Sequence, residues 1–112
     1  MFNEELVRKK QVIVVTDPEL NIIHATQNIL GMNGYRPDEI IGKKPNMFQG
    51  IDTCKKTVKV IRMAIANKQK FEATLLNYRK DGTSYKCWIK GEPILNKLGH
   101  VVNFIAYEKE VA

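Results

Sequence analysis

Cysteine and histidine are both scarce in this chain, with two of each in 112 residues. Cys54 and Cys87 stand far apart and form no Cys-x-x-Cys pair, so they offer no metal or redox spacing and are expected as free thiols. His24 and His100 fall on a short strand and in a turn, which makes neither a metal ligand. No Ser-His-Asp arrangement or paired-carboxylate spacing is present, and no enzyme is expected. Nor does any apolar run approach the roughly 20 residues of a membrane helix. A charged-then-apolar leader is also missing, so the expectation is a soluble, cytoplasmic chain with no membrane partner.

Hydrophobic residues make up 44% and charged residues 27%, the balance of a folded globular domain. The length suits one domain, read as residues 11–112 behind a flanking helix at 1–10. The formal net charge of +6 raises a nucleic-acid reading. Its cations are spread, however, with Lys55, Lys56, Lys59 and Arg62 on one helix and others in turns, and no aromatic reading element accompanies them. A solvated basic face without a nucleic-acid partner is the expectation.

The best-marked stretch is residues 71–107, three apolar segments joined by two polar turns. Asp81-Gly82 supplies the positive-φ position of a tight hairpin, and Asn96-Lys97-Leu98-Gly99 repeats the pattern before Val101-Val102-Asn103-Phe104-Ile105. Upstream, Val12-Ile13-Val14-Val15-Thr16 is a β-branched strand stopped by Asp17-Pro18, followed by a short strand over 21–25. Thr26 caps a short helix ended by Asn33-Gly34, and Pro37 opens a single helical turn closed by Gly42. The one substantial helix spans 54–67, capped by Asp52 or Thr53, with Cys54, Val58, Ile61 and Ile65 on one face. Residues 2–10 have the pattern of a short amphipathic helix that must dock on something.

This order predicts an α+β fold, a five-stranded antiparallel sheet with helices on one face and a space between them. Alternation turns Phe71, Ala73, Leu75, Asn77, Cys87, Ile89, Val102, Phe104, Ala106 and Glu108 toward the helices. They join Val14, Thr16, Ile29, Tyr35, Ile41, Met47, Phe48, Val58 and Ile61, with Gln49 and Lys44 as further polar groups. These side chains either fill the space among themselves or surround a small, weakly polar ligand; the candidate ligand contacts are Thr16, Gln49, Asn77, Cys87, Phe104 and Glu108. The opposite phase gathers Ile13, Val15, Leu76, Tyr78, Trp88, Ile105 and Tyr107 into an apolar outer face that needs a cover. A homodimer supplies it, with Phe2, Leu6, Ile13, Trp88, Ile105 and Tyr107 as the candidate interface.

Four motifs carry a family resemblance: Val15-Thr16-Asp17-Pro18, Gly34-Tyr35 followed by Glu39-Ile40-Ile41-Gly42, Phe48-Gln49-Gly50, and Asn77-Tyr78-Arg79-Lys80-Asp81-Gly82-Thr83. Together with the element order they resemble the PAS sensory domains, closest to the light-oxygen-voltage branch that binds flavin. The resemblance implies sheet order 2-1-5-4-3 and a signal-sensing and dimerisation module of a larger protein such as a sensor histidine kinase. Where that branch carries Gly-Arg-Asn-Cys-Arg-Phe-Leu-Gln-Gly, this chain has Gly42-Lys43-Lys44-Pro45-Asn46-Met47-Phe48-Gln49-Gly50. Pro45 thus stands at the position of the cysteine that forms the light-driven adduct. By the same resemblance Lys44 and Cys87 replace asparagines and Glu108 replaces a glutamine, while Asn77 and Gln49 are kept. The alternative function is a flavin-binding redox sensor without adduct chemistry. Haem is disfavoured, because haem-binding relatives supply an axial histidine from the long helix and this helix has none.

Overall fold

The computed structural model describes residues 11–112. The predicted helix at 2–10, with Phe2 and Leu6, lies outside the described residues. The β-branched run forms β1 (Val12–Thr16), whose side chains alternate between buried and partly buried. Asp17 turns the chain: its Oδ1 accepts from the amides of Glu19 and Asn21 at 3.0 and 2.8 Å. That turn holds Leu20 at φ +72°, a left-handed conformation that costs a non-glycine residue about 1 kcal/mol or more. From it runs β2 (Ile22–Ala25), antiparallel to β1.

The helices follow together: α1 (Ile29–Asn33), α2 (Pro37–Ile40), a 3-10 turn over Pro45–Phe48, and α3 (Lys55–Ala66). Gly34 ends α1 at φ +84°, the left-handed C-terminal position that glycine fills without a Cβ clash. The N-cap of α3 is Cys54, not Asp52 or Thr53 as the capping pattern suggested. Thr53 is committed elsewhere: its hydroxyl donates to the Leu76 carbonyl at 2.6 Å and accepts from the Gly50 amide at 2.9 Å.

Three long strands complete the chain: β3 (Phe71–Tyr78), β4 (Ser84–Leu95) and β5 (Val101–Val111). Gly82 and Gly99 take φ of +91° and +82° in the two connecting turns, at the positions the sequence marks. The sheet order is β2-β1-β5-β4-β3, all neighbours antiparallel, as the resemblance implies. Since every helix among the described residues lies between β2 and β3, the core forms on one face, around Val12, Ile22, Ile29, Ile40 and Cys87. Tyr35 meets Phe48 edge to face at 5.6 Å between centroids.

Two anchors hold the helical layer to the sheet. At the β3–β4 hairpin, the Arg79 guanidinium pairs with both carboxylate oxygens of Glu110 at 3.0 Å, donates to the Met32 carbonyl at 2.8 Å, and lies 4.7 Å from the Tyr85 ring centre. Beside it Lys80 pairs with Glu39 of α2. At the edge of β3, Tyr78 leaves the outer face assigned to it by alternation and clamps the loop after the 3-10 turn. Its hydroxyl accepts from the Asp52 amide at 3.1 Å, and its ring covers Gly50 so closely that a Cβ there would sit 2.3 Å from Cε1. Two further corrections concern exposure: Ile41 and Val102, expected inward, are 45% and 40% exposed.

Gly50→Ala is expected to destabilise the fold by about 1–3 kcal/mol through this overlap. In a Tyr78→Ala background the same substitution should cost far less; denaturant midpoints of the four proteins measure the coupling. Equal losses in both backgrounds would mean that the ring does not set the cost.

Candidate functional site

Strand alternation and the stand-off of α3 together make the site. No residue of α3 is buried, although Val58, Ile61 and Ile65 face inward, because the helix does not close on the sheet. Between them lies a cavity of about 230 Å³. Val14 and Thr16 of β1, Leu75 and Asn77 of β3, Ile89 of β4 and Phe104, Ala106 and Glu108 of β5 form its floor, and Pro45, Phe48 and Gln49 one wall. Phe71 lies across Gly91, where a Cβ would meet its ring at 2.3 Å, so glycine is what lets this ring lie flat at the cavity edge.

Five of the six ligand candidates line this space: Thr16, Gln49, Asn77, Phe104 and Glu108. Cys87 does not. It is fully buried behind the lining, and its Sγ–H is shared between the Glu108 carboxyl at 3.6 Å and the Trp88 carbonyl at 3.7 Å. Burial pushes the Cys87 thiol well above the ordinary thiol range, with the neighbouring Glu108 adding to it, so Cys87 stays protonated. Ile29, Tyr35, Ile41 and Met47 are not among the lining residues, and Lys44 is, tied by Nζ to the Glu19 carbonyl at 2.7 Å and to Asn21 Oδ1 at 3.2 Å. Leu20, Arg62 and Glu92 also border the cavity and escaped the sequence reading. Arg62 follows Ile61 on the helix, a signal that could have placed it at the rim, whereas Leu20 depends on the Asp17 turn.

The floor carries polar groups that the chain itself does not satisfy. Asn77 is 4% exposed and its Oδ1 has no hydrogen-bond partner; the same holds for the Tyr85 hydroxyl, directly opposite Asn77 in the β3–β4 register. Burial holds the Tyr85 phenol neutral. Glu108 lies at the sheet centre between Val12 and Ile89. Burial raises its carboxyl to about 7, offset in part by the Cys87 thiol. Unsatisfied buried polar groups cost about 1–3 kcal/mol each, so Asn77 Oδ1, together with the Glu108 carboxyl whose one bond is the long contact from the Cys87 thiol, forms a polar floor that a ligand or water can complete.

Of the candidate interface, Ile13, Trp88, Ile105 and Tyr107 are partly buried on the outer face, and Phe2 and Leu6 are outside the described residues. Ile13 pairs with Tyr107 and Val15 with Ile105, which gives a contiguous apolar centre. Trp88 has partners of its own: Nε1 donates to Glu72 at 2.7 Å and Lys109 lies 5.3 Å from the ring centre. Ile105 also borders the cavity. His24 and His100 are exposed. Among the described residues no cluster of His, Cys, Asp and Glu could hold a metal ion, and no helix is long and apolar enough to cross a membrane.

Glu108 sets a pH dependence of stability. Its folded value, about 7, lies above the ordinary glutamate value of 4.5, so the folded state binds the extra proton between these limits. Stability therefore falls as pH rises from about 4.5 to about 7, by roughly 3 kcal/mol, and is flat above. Glu108→Gln should flatten this slope and raise stability at pH 8 relative to the parent; urea midpoints at pH 5 and pH 8 measure both, and identical slopes would contradict it.

The chain resembles known proteins along nearly its whole length. Rice phototropin-2 is 37% identical over 114 residues, covering 99% of this chain and 13% of that protein. A blue-light-activated histidine kinase of Brucella anthropi is 31% identical over 102 residues, covering 88% of this chain and 21% of the kinase. The chain thus spans a small part of these relatives. Among solved structures, the light state of the Aureochrome1 LOV domain superposes with a TM-score of 0.88 at 29% identity, covering 96% of this chain and 88% of that one. The family model for the PAS domain matches residues 10–111, and with this sheet order and one-sided helical layer the chain belongs to the PAS domain family, with light-oxygen-voltage domains among its relatives.

Proposed function

We propose that the chain is the signal-input and dimerisation module of a larger signalling protein, and that its cavity binds a small ligand. The observation that carries this reading is the 230 Å³ cavity bordered by Asn77, whose buried Oδ1 has no partner, and by Glu108. A filled core would leave neither the space nor the unpaired group. The ligand completes the polar floor and shifts the centre of the sheet, and the opposite face of the same strands passes the change to a second copy. The effector is of the histidine-kinase type, as in the Brucella relative, and the setting is cytoplasmic.

A second reading, flavin held without an adduct, is favoured by the light-oxygen-voltage relatives and by the Glu108 carboxyl near 7. Gln49 and Asn77 would hold the polar edge of the ring, and Glu108 suits its acceptor atoms only in the protonated form. Bound flavin supplies visible-light absorption and reversible reduction. The reading is taken without a thiol adduct on the resemblance that sets Pro45 at the adduct position; Pro45 lines the cavity.

Native mass spectrometry of freshly purified protein, compared with the denatured mass and with an absorption spectrum from about 300 to 600 nm, tests both readings. A dimer carrying a small, colourless mass is the expected result. Flavin bands would establish the second reading instead, and a bare monomer that takes up nothing would contradict both. Tyr107→Asp, at the apolar centre of the outer face, should weaken dimerisation by roughly thirtyfold, about 2 kcal/mol; an unchanged molar mass in light scattering would exclude this face as the interface.

A further inference from the structure

The Glu108 carboxyl at the cavity floor has fewer bonded donors than it can accept. Glu108 brings two carboxyl oxygens and Asn77 an unpartnered Oδ1. At the carboxyl itself the chain sets one thiol proton, shared between Glu108 Oε1 and the Trp88 carbonyl; the Asn77, Gln49 and Asn46 amides and the Thr16 hydroxyl also border the cavity, and none of them is bonded to Glu108. Oε2 of Glu108 has no bonded donor among the described residues. Among the described residues no cation pairs with it: Lys44 is tied to the Asp17–Asn21 turn through Glu19 and Asn21, and Arg62, at the cavity border, is exposed. The walls around the carboxyl, Val14, Leu75, Ile89, Phe104 and Ala106, are apolar.

A carboxylate in an apolar cavity is expensive to leave ionised and gains most from a partner with parallel N–H donors, since charge-assisted bidentate pairs are the strongest of the neutral-pH hydrogen bonds. We propose that the cavity selects a flat heterocycle that turns an amidine-type edge, a ring N–H beside an exocyclic amine, toward Glu108. This inference rests on the small-ligand reading of the site. It names a ligand edge opposite to that of isoalloxazine, whose acceptor atoms require a donor at this position.

The test uses three probes in isothermal titration calorimetry at pH 8: 2-aminobenzimidazole, the isosteric 2-methylbenzimidazole, which lacks the exocyclic donor, and flavin mononucleotide. The amino compound should bind the parent at least about tenfold more tightly than the methyl compound, about 1.4 kcal/mol. Glu108→Gln, which keeps shape and burial, should remove that preference while circular dichroism reports an unchanged fold. Equal affinities of the two benzimidazoles for the parent, or a preference that survives in Glu108→Gln, would overturn the inference. Binding of flavin alone would also overturn it, yet leave the cavity as a ligand site. Failure of all three probes with both proteins would overturn the inference and the small-ligand reading together.

Discussion

The antiparallel ladder between β1 and β5 is the interaction on which the rest of the structure depends. It joins residues 12–16 to residues 104–108 and brings the two ends of the described chain together at the sheet centre. With that pairing made, β2 and β3 become the edges, and the described helices cross between them over one face. Loop closure over such a separation is entropically costly, and the β-branched density of Val12-Ile13-Val14-Val15 is what makes a strand able to offset it. The same ladder sets Glu108 opposite Val12, so the carboxyl lies at the centre of the sheet, where solvation is poorest.

The cavity follows from how the helical layer is fastened. One end is held by Arg79 through Glu110, Met32 and Tyr85, and the β3 edge is held by Tyr78 and Thr53 on the Gly50–Asp52 loop. Between these anchors α3 bears no buried residue and meets the sheet only along its Val58, Ile61 and Ile65 stripe. A helix held at its flanks can stand off the floor without the fold collapsing, which is the condition for a ligand to enter. Displacing α3 therefore disturbs only partly buried side chains, whereas the 3-10 turn is fixed in the core by Phe48 against Tyr35.

Much of this was legible from residue pattern. Asp17-Pro18, Asp81-Gly82 and Gly99 mark turns whose backbone chemistry is local, and alternation counted from Asn77 turned Phe104 and Glu108 to the cavity side with it, where Thr16 of the β-branched strand joined them. Cys87 obeys the same alternation but lies one rung beyond the space, covered by its neighbours, so period alone could not tell inward from accessible. Tyr78 shows the converse: its parity points outward, yet an edge strand lets a long side chain wrap round to Gly50. The N-cap is Cys54, and the Thr53 hydroxyl oxygen accepts from the Gly50 amide instead of a helix amide while its proton goes to the Leu76 carbonyl. Leu20 and Arg62 went unseen because a rim is made by separate elements meeting.

The proposed ligand site rests on a carboxyl at the sheet centre, raised toward neutral pH by burial, beside the cavity. The most direct measurement is the carbon-13 chemical shift of the Glu108 side-chain carboxyl followed by NMR from pH 4 to pH 9. The account predicts a midpoint near 7 that moves when a ligand enters the cavity. A midpoint near the ordinary glutamate value of about 4.3 would show a solvated carboxyl and contradict the site as described.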